Sequence, residues 1–287
     1  MNNETNVLIF ALLGGILPAL FWLWFWIRED KLNPEPKSAL LSAFVGGIVA
    51  VLLSLFFELV IYYILVDASI PVYLKSPASF WVPLQHFADK FNLVSLQNNF
   101  WDHIQNYFSN FNFSSLQNID IKKAFAIVFI APVIEELLKL ILTYNICLRR
   151  KVNDEPIDAS IYMLTAALGF AAVETALFLT GPQIKDNVID GVIYRSIAPM
   201  LIHLISSAVL GLFIGFAFYK SKIKKFFYLV GGFAGAVLLH TAFNFFITLY
   251  DTTHSTSFFW IACLGTWAFV VILLVLFEKV KKVTRNT

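Results

Sequence analysis

Seven long apolar segments run through this chain, and they constrain it to a membrane fold. Each reaches the length of about 20 apolar residues that an α-helix needs to cross the hydrocarbon core of a bilayer. The segments are residues 7–27, 39–66, 123–147, 159–181, 196–219, 226–249 and 258–277. Only 14% of the residues are charged, whereas soluble domains are nearer to about 25%. We therefore predict an all-α, polytopic membrane helix bundle with about seven transmembrane helices.

The basic residues between these segments predict how the chain is oriented. Fourteen of the 21 Lys and Arg residues follow segments one, three and five or lie in the C-terminal tail. They are Arg28, Lys31, Lys37, Arg149, Arg150, Lys151, Lys220, Lys222, Lys224, Lys225, Lys279, Lys281, Lys282 and Arg285. Because cytoplasmic loops carry the excess of Lys and Arg, we predict an N-terminus outside and a C-terminus in the cytoplasm. The net charge of +2 reflects this bias, and no basic stripe with stacking aromatics outside the segments indicates nucleic-acid binding.

Residues 67–122 form the one long connection, which this orientation places outside the cell. Leu96, Phe100, Ile104 and Phe108 recur every four residues with polar residues between them, a pattern typical of amphipathic helices at a membrane interface. The connection is either a surface cap on the helix ends or a lid over an outward-facing site. We find no internal repeat and predict a single transmembrane domain over residues 1–287.

Ionisable residues inside the apolar segments are the strongest functional signal. Glu135, Glu136 and Lys139 lie in segment three, and Glu174, His203 and His240 lie in segments four, five and six. A charged group at bilayer depth costs a few kcal/mol, so such residues usually have a functional role. At about 1.5 Å per residue, Glu135, Glu174, His203 and His240 all lie roughly 12–18 Å from the outer ends of their segments. We therefore expect them in one layer, between the membrane midplane and the outer face.

Helical spacing predicts that each segment turns one polar stripe toward the others. Residues four apart share a helix face, and three such pairs are Phe170/Glu174, His203/Ser207 and His240/Asn244. Two histidines and a glutamate form a familiar catalytic zinc set, with another glutamate as base. The same groups without a metal can also activate water. The structural alternatives are an ion pair between Glu135 and Lys139 within one helix, and histidines that only hydrogen bond between helices.

Other polar residues and prolines in the segments receive simpler interpretations. Asp158 and Arg195 lie near segment ends, where we expect structural caps. Pro132 and Pro199 lie inside segments and open local backbone space near the site. Glu58 either lines the same cavity or anchors segment two near the interface.

The ordered motifs resemble those of the PrsW family of intramembrane proteases. Glu135-Glu136-Leu-Leu-Lys139 matches the family's EExxK motif, and Phe170-Ala-Ala-Val-Glu174 is similar to its FxxxE motif. His203 and His240-Thr-Ala-Phe-Asn244 resemble its later histidine motifs, and Phe21-Trp22-Leu23-Trp24 followed by Pro34-Glu35-Pro36 resembles its entry segment. The related CAAX-processing and bacteriocin-immunity proteases carry EExxxR, so the shorter Lys spacing favours PrsW. The resemblance covers residues 10–250 and leaves the role of Ser206 and Ser207 open.

The resemblance implies a multi-pass protease of the bacterial plasma membrane that cuts membrane-anchored proteins, such as an anti-sigma factor in stress signalling. In this hypothesis Glu135 or Glu136 activates water and Lys139 sets the charge of the glutamate pair. Glu174, His203 and His240 hold a zinc ion or keep the same geometry without metal, and Asn244 stabilises the oxyanion. A proton-coupled transporter is the main alternative, because intramembrane Glu and His chains also serve transport. A non-catalytic membrane scaffold or immunity protein is the third.

Overall fold

The computed structural model of the chain describes residues 3–29, 33–66, 126–180, 188–253 and 255–284. Every regular element in these ranges is a helix. The predicted amphipathic helix and the proposed lid at 67–122 lie outside the described residues. The single-domain assignment and the orientation in the membrane remain predictions.

Eight helices follow one another in the described ranges. They are α1 (Asn3–Ile27), α2 (Lys37–Val66), α3 (Ala131–Thr143), α4 (Asp158–Leu179), α5 (Val188–Ile197), α6 (Pro199–Phe216), α7 (Lys222–Thr253) and α8 (Thr256–Val280). Single π-helical stretches, Ala126–Ile130 and Tyr144–Leu148, continue α3 in both directions. The polytopic, all-helical prediction is confirmed.

Six helical segments in the described part of the chain are long and apolar enough to cross a membrane. They are Ile9–Ile27, Lys37–Glu58, Asp158–Leu179, Ile189–Phe216, Lys222–Asp251 and Thr256–Val280. The predicted third segment falls on α3, whose α-helical part has 13 residues and carries three charged side chains. Its π-helical extensions lengthen it, so the total number of spans depends on how α3 is counted.

The charged face of α3 points into the protein. Glu135, Glu136 and Lys139 are buried together with Pro132 and Thr143. The apolar side chains between them, Leu137, Ile141 and Tyr144, are exposed. This is the reverse of a helix in a soluble protein, and it suits a helix with lipid on one side and a polar interior on the other.

Helix α4 lies at the centre of the bundle and packs against α1, α2 and α6. Its contact with α2 depends on two glycines that let the backbones touch, as in other membrane helix pairs. A Cβ at Gly47 would lie 1.8 Å from the carbonyl oxygen of Ala166, and one at Gly169 would lie 2.0 Å from that of Phe44. Neither position can accept a side chain unless the backbone moves. This close contact fixes the position, along the axis of α2, of the α4 turns that carry Phe170 and Glu174.

The predicted fifth segment is divided by a break at Ala198, whose backbone leaves the helical region with φ −136° and ψ −68°. Pro199 begins α6 directly after this break. A proline suits a helix start because it has no N–H to donate to a preceding turn. The break ends α5 at Ile197 and separates it from α6. The expected effect of Pro199 on local backbone space is consistent with this arrangement.

Candidate active site

The ionisable residues of four helices meet in one buried cluster. Glu135, Glu136 and Lys139 come from α3, Glu174 from α4, His203 from α6 and His240 from α7. Glu136 and Lys139 are fully buried, and Glu135, His203 and His240 nearly so. Such burial is unusual for ionisable side chains unless they are paired with one another. The predicted convergence of the polar stripes is therefore present in the structure.

Glu136 is held by four donors. Lys139 Nζ and the Ser206 hydroxyl lie 2.7 and 2.8 Å from its Oε1, and the Ser207 hydroxyl lies 2.9 Å from its Oε2. His240 Nδ1 lies 3.1 Å from Oε1. A buried carboxylate with this many partners is fixed in position and well compensated for its burial. Ser206 and Ser207, whose role the sequence left open, thus anchor this glutamate.

Each of the two imidazoles contacts a carboxylate through one of its ring nitrogens. His240 uses Nδ1 toward Glu136, and His203 Nε2 lies 2.6 Å from Glu174 Oε2. A carboxylate accepts a hydrogen bond from the protonated ring nitrogen, so the opposite nitrogen carries the lone pair. Those opposite nitrogens, His203 Nδ1 and His240 Nε2, are directed toward Glu135. The rings meet edge to face with centroids 4.7 Å apart.

Glu135 lies where His203 Nδ1 and His240 Nε2 converge. Its Oε2 is 3.5 Å from His203 Nδ1, 3.8 Å from His240 Nε2 and 3.9 Å from Lys139 Nζ. These separations are too long for good hydrogen bonds, and this buried oxygen has no hydrogen-bond partner among the described residues. A buried acceptor without a partner costs about 1–3 kcal/mol. A water molecule or a cation between these atoms would remove that cost.

The donor atoms at this point fit a metal ion. One ligand atom each from Glu135, His203 and His240 lies within 4.8 Å of the others. Two imidazole nitrogens and one carboxylate oxygen are a donor set that zinc accepts in catalytic sites. Glu174 and Glu136 contact the remaining ring nitrogens of His203 and His240. Metal-binding histidines usually have such a hydrogen-bond partner. The residues present therefore fit a catalytic zinc site.

This set differs from the predicted one in its carboxylate. The sequence assigned Glu174 to the metal with His203 and His240, whereas the structure brings Glu135 to that position. Glu174 lies behind the His203 ring, where its Oε2 is 2.6 Å from both His203 Nε2 and Arg195 Nη2. That oxygen is already engaged on the side of the imidazole that faces away from Glu135. The i,i+4 spacing predicts which face of its helix carries Glu174. It does not predict which nitrogen of the His203 ring the carboxylate contacts.

Lys139 connects the two halves of the cluster. Besides Glu136, its Nζ lies 3.1 Å from His203 Nδ1 and 4.4 Å from the centroid of the Phe170 ring. It therefore contacts α3, α4 and α6 at once, which an ion pair confined to one helix would not do. The exclusively intrahelical interpretation of Lys139 is thus too narrow.

Three residues have positions that the sequence did not resolve. Arg195, expected to be a cap near a segment end, is buried and ion-paired with Glu174. Its one sequence signal was a lone arginine within an apolar stretch that leads to His203. Glu58 lies on α2 with a half-buried side chain, and its role remains a prediction. Asn244 is half-buried one helical turn beyond His240, and it contributes none of the contacts described above.

Comparison with protein families matches residues 96–276 to the family described as PrsW family intramembrane metalloprotease. Two relatives are both named Protease PrsW. The one from Shouchella clausii (strain KSM-K16) is 29% identical over 155 residues, which is 54% of this chain and 66% of the relative. The one from Geobacillus kaustophilus (strain HTA426) is 28% identical over 117 residues, which is 41% of this chain and 49% of the relative.

The matches thus span about two thirds and one half of the lengths of these relatives. No solved structure matches the chain. The family match covers more than half of the chain and contains every residue of the buried cluster. The chain belongs to the PrsW family of intramembrane metalloproteases.

Proposed function

We propose that this chain is an intramembrane endopeptidase that hydrolyses peptide bonds of membrane-anchored proteins. The observation that carries the proposal is the buried convergence of Glu135 Oε2 with His203 Nδ1 and His240 Nε2. Hydrolysis inside a membrane requires polar groups that hold and activate water away from bulk solvent. The family match and the names of the relatives support the same reaction class.

The metal-binding residues that we propose are Glu135, His203 and His240. A zinc ion bound there would supply Lewis acidity toward a carbonyl oxygen and toward water. Lys139 Nζ lies 3.1 Å from His203 Nδ1 and would compete with a cation for that lone pair. Lys139 also has a shorter contact with Glu136, so it keeps a partner when it leaves the histidine.

For hydrolysis without a metal, Glu135 is the carboxylate that we assign to proton transfer. Glu136 is saturated by donors and serves to orient His240, whereas Glu135 has an oxygen without a hydrogen-bond partner among the described residues. A carboxylate at this position accepts a proton from the attacking water and returns it to the leaving amide nitrogen. Lys139 balances the charge of the adjacent glutamates through contacts of 2.7 and 3.9 Å.

Asn244 is our candidate for binding the oxygen of the tetrahedral intermediate. It lies on the helix face of His240, because the two residues are four apart, and its half-buried side chain leaves room for a substrate. A preorganised donor of this kind contributes on the order of 3 kcal/mol to catalysis.

The substrate that we propose is a protein with a single membrane span, and an anti-sigma factor in stress signalling is one such candidate. The cluster lies within long apolar helices, so a peptide must enter the membrane region to reach it. The proposed location is a bacterial plasma membrane, in keeping with the two bacterial relatives.

The first prediction tests the proteolytic function. A single-span substrate is co-expressed with the wild type, with Glu135→Ala and with Glu136→Ala, and its cleavage is followed by immunoblotting. We expect both glutamate variants to lose cleavage, Glu135→Ala through lost proton transfer and Glu136→Ala through a displaced His240.

Leu137→Ala is the matched control, because Leu137 lies on the same helix with its side chain exposed away from the cluster. It should cleave like the wild type at equal expression. Full cleavage by both glutamate variants would contradict the proposed function.

A further inference from the structure

Arg195 is a buried arginine that contacts the site through Glu174. Its side chain comes from the short helix α5, and the residue is 8% exposed. Its Nη2 lies 2.6 Å from Glu174 Oε2, and its guanidinium carbon lies 4.9 Å from the centroid of the Phe178 ring. A guanidinium stays protonated in proteins, so this is a permanent positive charge buried in the bundle. Arginine is seldom buried to this extent unless it is paired.

The carboxylate oxygen that Arg195 contacts is the one that holds His203. Glu174 Oε2 lies 2.6 Å from His203 Nε2, so Arg195, Glu174 and His203 form a continuous chain of contacts. At its far end, His203 Nδ1 faces Glu135. The direction of His203 Nδ1 therefore depends on Glu174 staying in a fixed place against Nε2.

Arg195 lies on the last turn of α5, directly before a break in the helix. The non-helical backbone at Ala198 separates α5 from α6. A hydrogen bond from Trp22 Nε1 to the carbonyl oxygen of Ser196, 3.2 Å long, ties the end of α5 to α1. Two helices thus hold the arginine next to Glu174.

We propose that Arg195 is a positioning residue for the catalytic centre, an inference that rests on the proposed function. It holds the Glu174 carboxylate in place against His203 Nε2, so that Nδ1 of the same ring faces the centre. A purely structural ion pair would also need Arg195 for folding, but it would not require a particular His203 nitrogen to be protonated. The two roles therefore differ in what they predict for His203 in folded protein.

The experiment compares Arg195→Gln, Arg195→Lys, Glu174→Gln and the Arg195→Gln/Glu174→Gln double variant in detergent-purified full-length protein. Zn²⁺ affinity is measured by competition with a chromogenic chelator, and thermal unfolding is recorded in parallel. We expect Arg195→Gln to weaken Zn²⁺ binding by about 10- to 100-fold, the usual effect of losing a partner behind a metal-binding histidine. Arg195→Lys should recover part of the loss, because it retains the charge.

Two comparisons make this result specific. Arg28→Gln also removes an arginine stacked on an aromatic ring, that of Trp24, but at the end of α1, and it should leave Zn²⁺ binding unchanged. The double variant should bind Zn²⁺ no more weakly than Glu174→Gln alone, because Arg195 acts through Glu174. An Arg195→Gln protein with lowered thermal stability and wild-type Zn²⁺ affinity would overturn the proposal.

A second measurement separates this inference from the proposed function. The ¹⁵N NMR signals of labelled histidine, assigned by comparison with His203→Gln, report which ring nitrogen of His203 carries the proton. We expect Nε2–H in the wild type and its loss in Arg195→Gln. If the wild type binds no Zn²⁺, the metal assignment fails while this test of Arg195 still applies. An unchanged His203 signal in Arg195→Gln would refute the positioning role.

Discussion

Glu135 and Glu136 are neighbours in the chain with opposite surroundings. Both oxygens of Glu136 accept hydrogen bonds from buried donors on α3, α6 and α7. Glu135 has a buried oxygen without a hydrogen-bond partner in the described residues. Successive helical residues point about 100° apart, so one carboxylate reaches the serines of α6 while the other reaches the space between the imidazoles. This difference separates a structural role from a reactive one.

The serines that hold Glu136 provide a prediction at the residue scale. The Ser206→Ala/Ser207→Ala variant removes two hydrogen bonds to a buried carboxylate, each worth on the order of 2 kcal/mol. We expect a lower unfolding temperature in detergent and slower substrate cleavage, since Glu136 also orients His240.

Ser54→Ala is the control for that variant. The Ser54 hydroxyl is equally buried, but it donates to the carbonyl oxygen of Val51 within its own helix. Its loss should have a small effect on stability and none on cleavage. If the two serine variants behave alike, the anchoring role of Ser206 and Ser207 is incorrect.

Among individual residues, the sequence predicted which side chains form the cluster. It did not predict which of them contact one another. Ionisable residues in apolar segments are rare enough to be found directly, and Glu135, Glu136, Lys139, His203 and His240 all lie in the buried cluster. The pairing depends on which nitrogen of each imidazole faces which carboxylate. That choice is made by contacts between helices far apart in sequence. The sequence therefore grouped Glu174 with the metal ligands, whereas its carboxylate contacts the other nitrogen of His203. Arg195 does lie in the last turn of α5, but its ion pair with Glu174 was not predicted.

The packing of α4 against α2 is the element-scale feature that sets the site. Glu174 and Phe170 lie on the turns next to Gly169, where the backbone of α2 approaches most closely. A helix displaced here would move Glu174 away from His203. The geometry of the cluster therefore depends on residues that carry no functional group.

Gly169→Ala tests this dependence. The added methyl carbon would lie 2.0 Å from the carbonyl oxygen of Phe44, so the two helices must separate. Overpacking of this kind costs about 1–3 kcal/mol, and we expect lower thermal stability together with weaker cleavage.

Gly265→Ala is the matched control, because no atom of the described residues lies within 4 Å of a Cβ at that position. Alanine also has the higher helix propensity, so this variant should be at least as stable as the wild type. Equal stability of both alanine variants would show that the α2–α4 contact tolerates separation.

Helix positions were largely predictable from the sequence, whereas their internal breaks were not. A run of apolar residues indicates a span, and six such helices are present in the part of the chain that the structure describes. Hydropathy does not show the break at Ala198, which lies next to a tertiary contact, the Trp22–Ser196 hydrogen bond. The π-helical stretches beside α3 are similarly invisible in hydropathy.

At the scale of the whole molecule, the first and last helices close the bundle together. Trp26 of α1 and Phe277 of α8 have ring centroids 5.1 Å apart. Beyond them, Lys281 Nζ forms ion pairs of 2.9 Å with Glu29 and 2.6 Å with Glu278. This contact lies at the end of the bundle where the basic residues gather. The active-site cluster instead lies among α3, α4, α6 and α7, so these outer contacts leave its polar interior undisturbed.

Glu135, His203 and His240 are proposed to form one shared metal centre, and metal analysis tests this centre most directly. Zinc content is measured by elemental analysis in detergent-purified wild type, in Glu135→Gln and in the His203→Ala/His240→Ala variant, with Leu137→Ala as control. We predict one zinc per chain in the wild type and in the control, strongly reduced zinc in Glu135→Gln, and none in the double histidine variant. Zinc retained by the double histidine variant, or absent from the wild type, would contradict the metal centre.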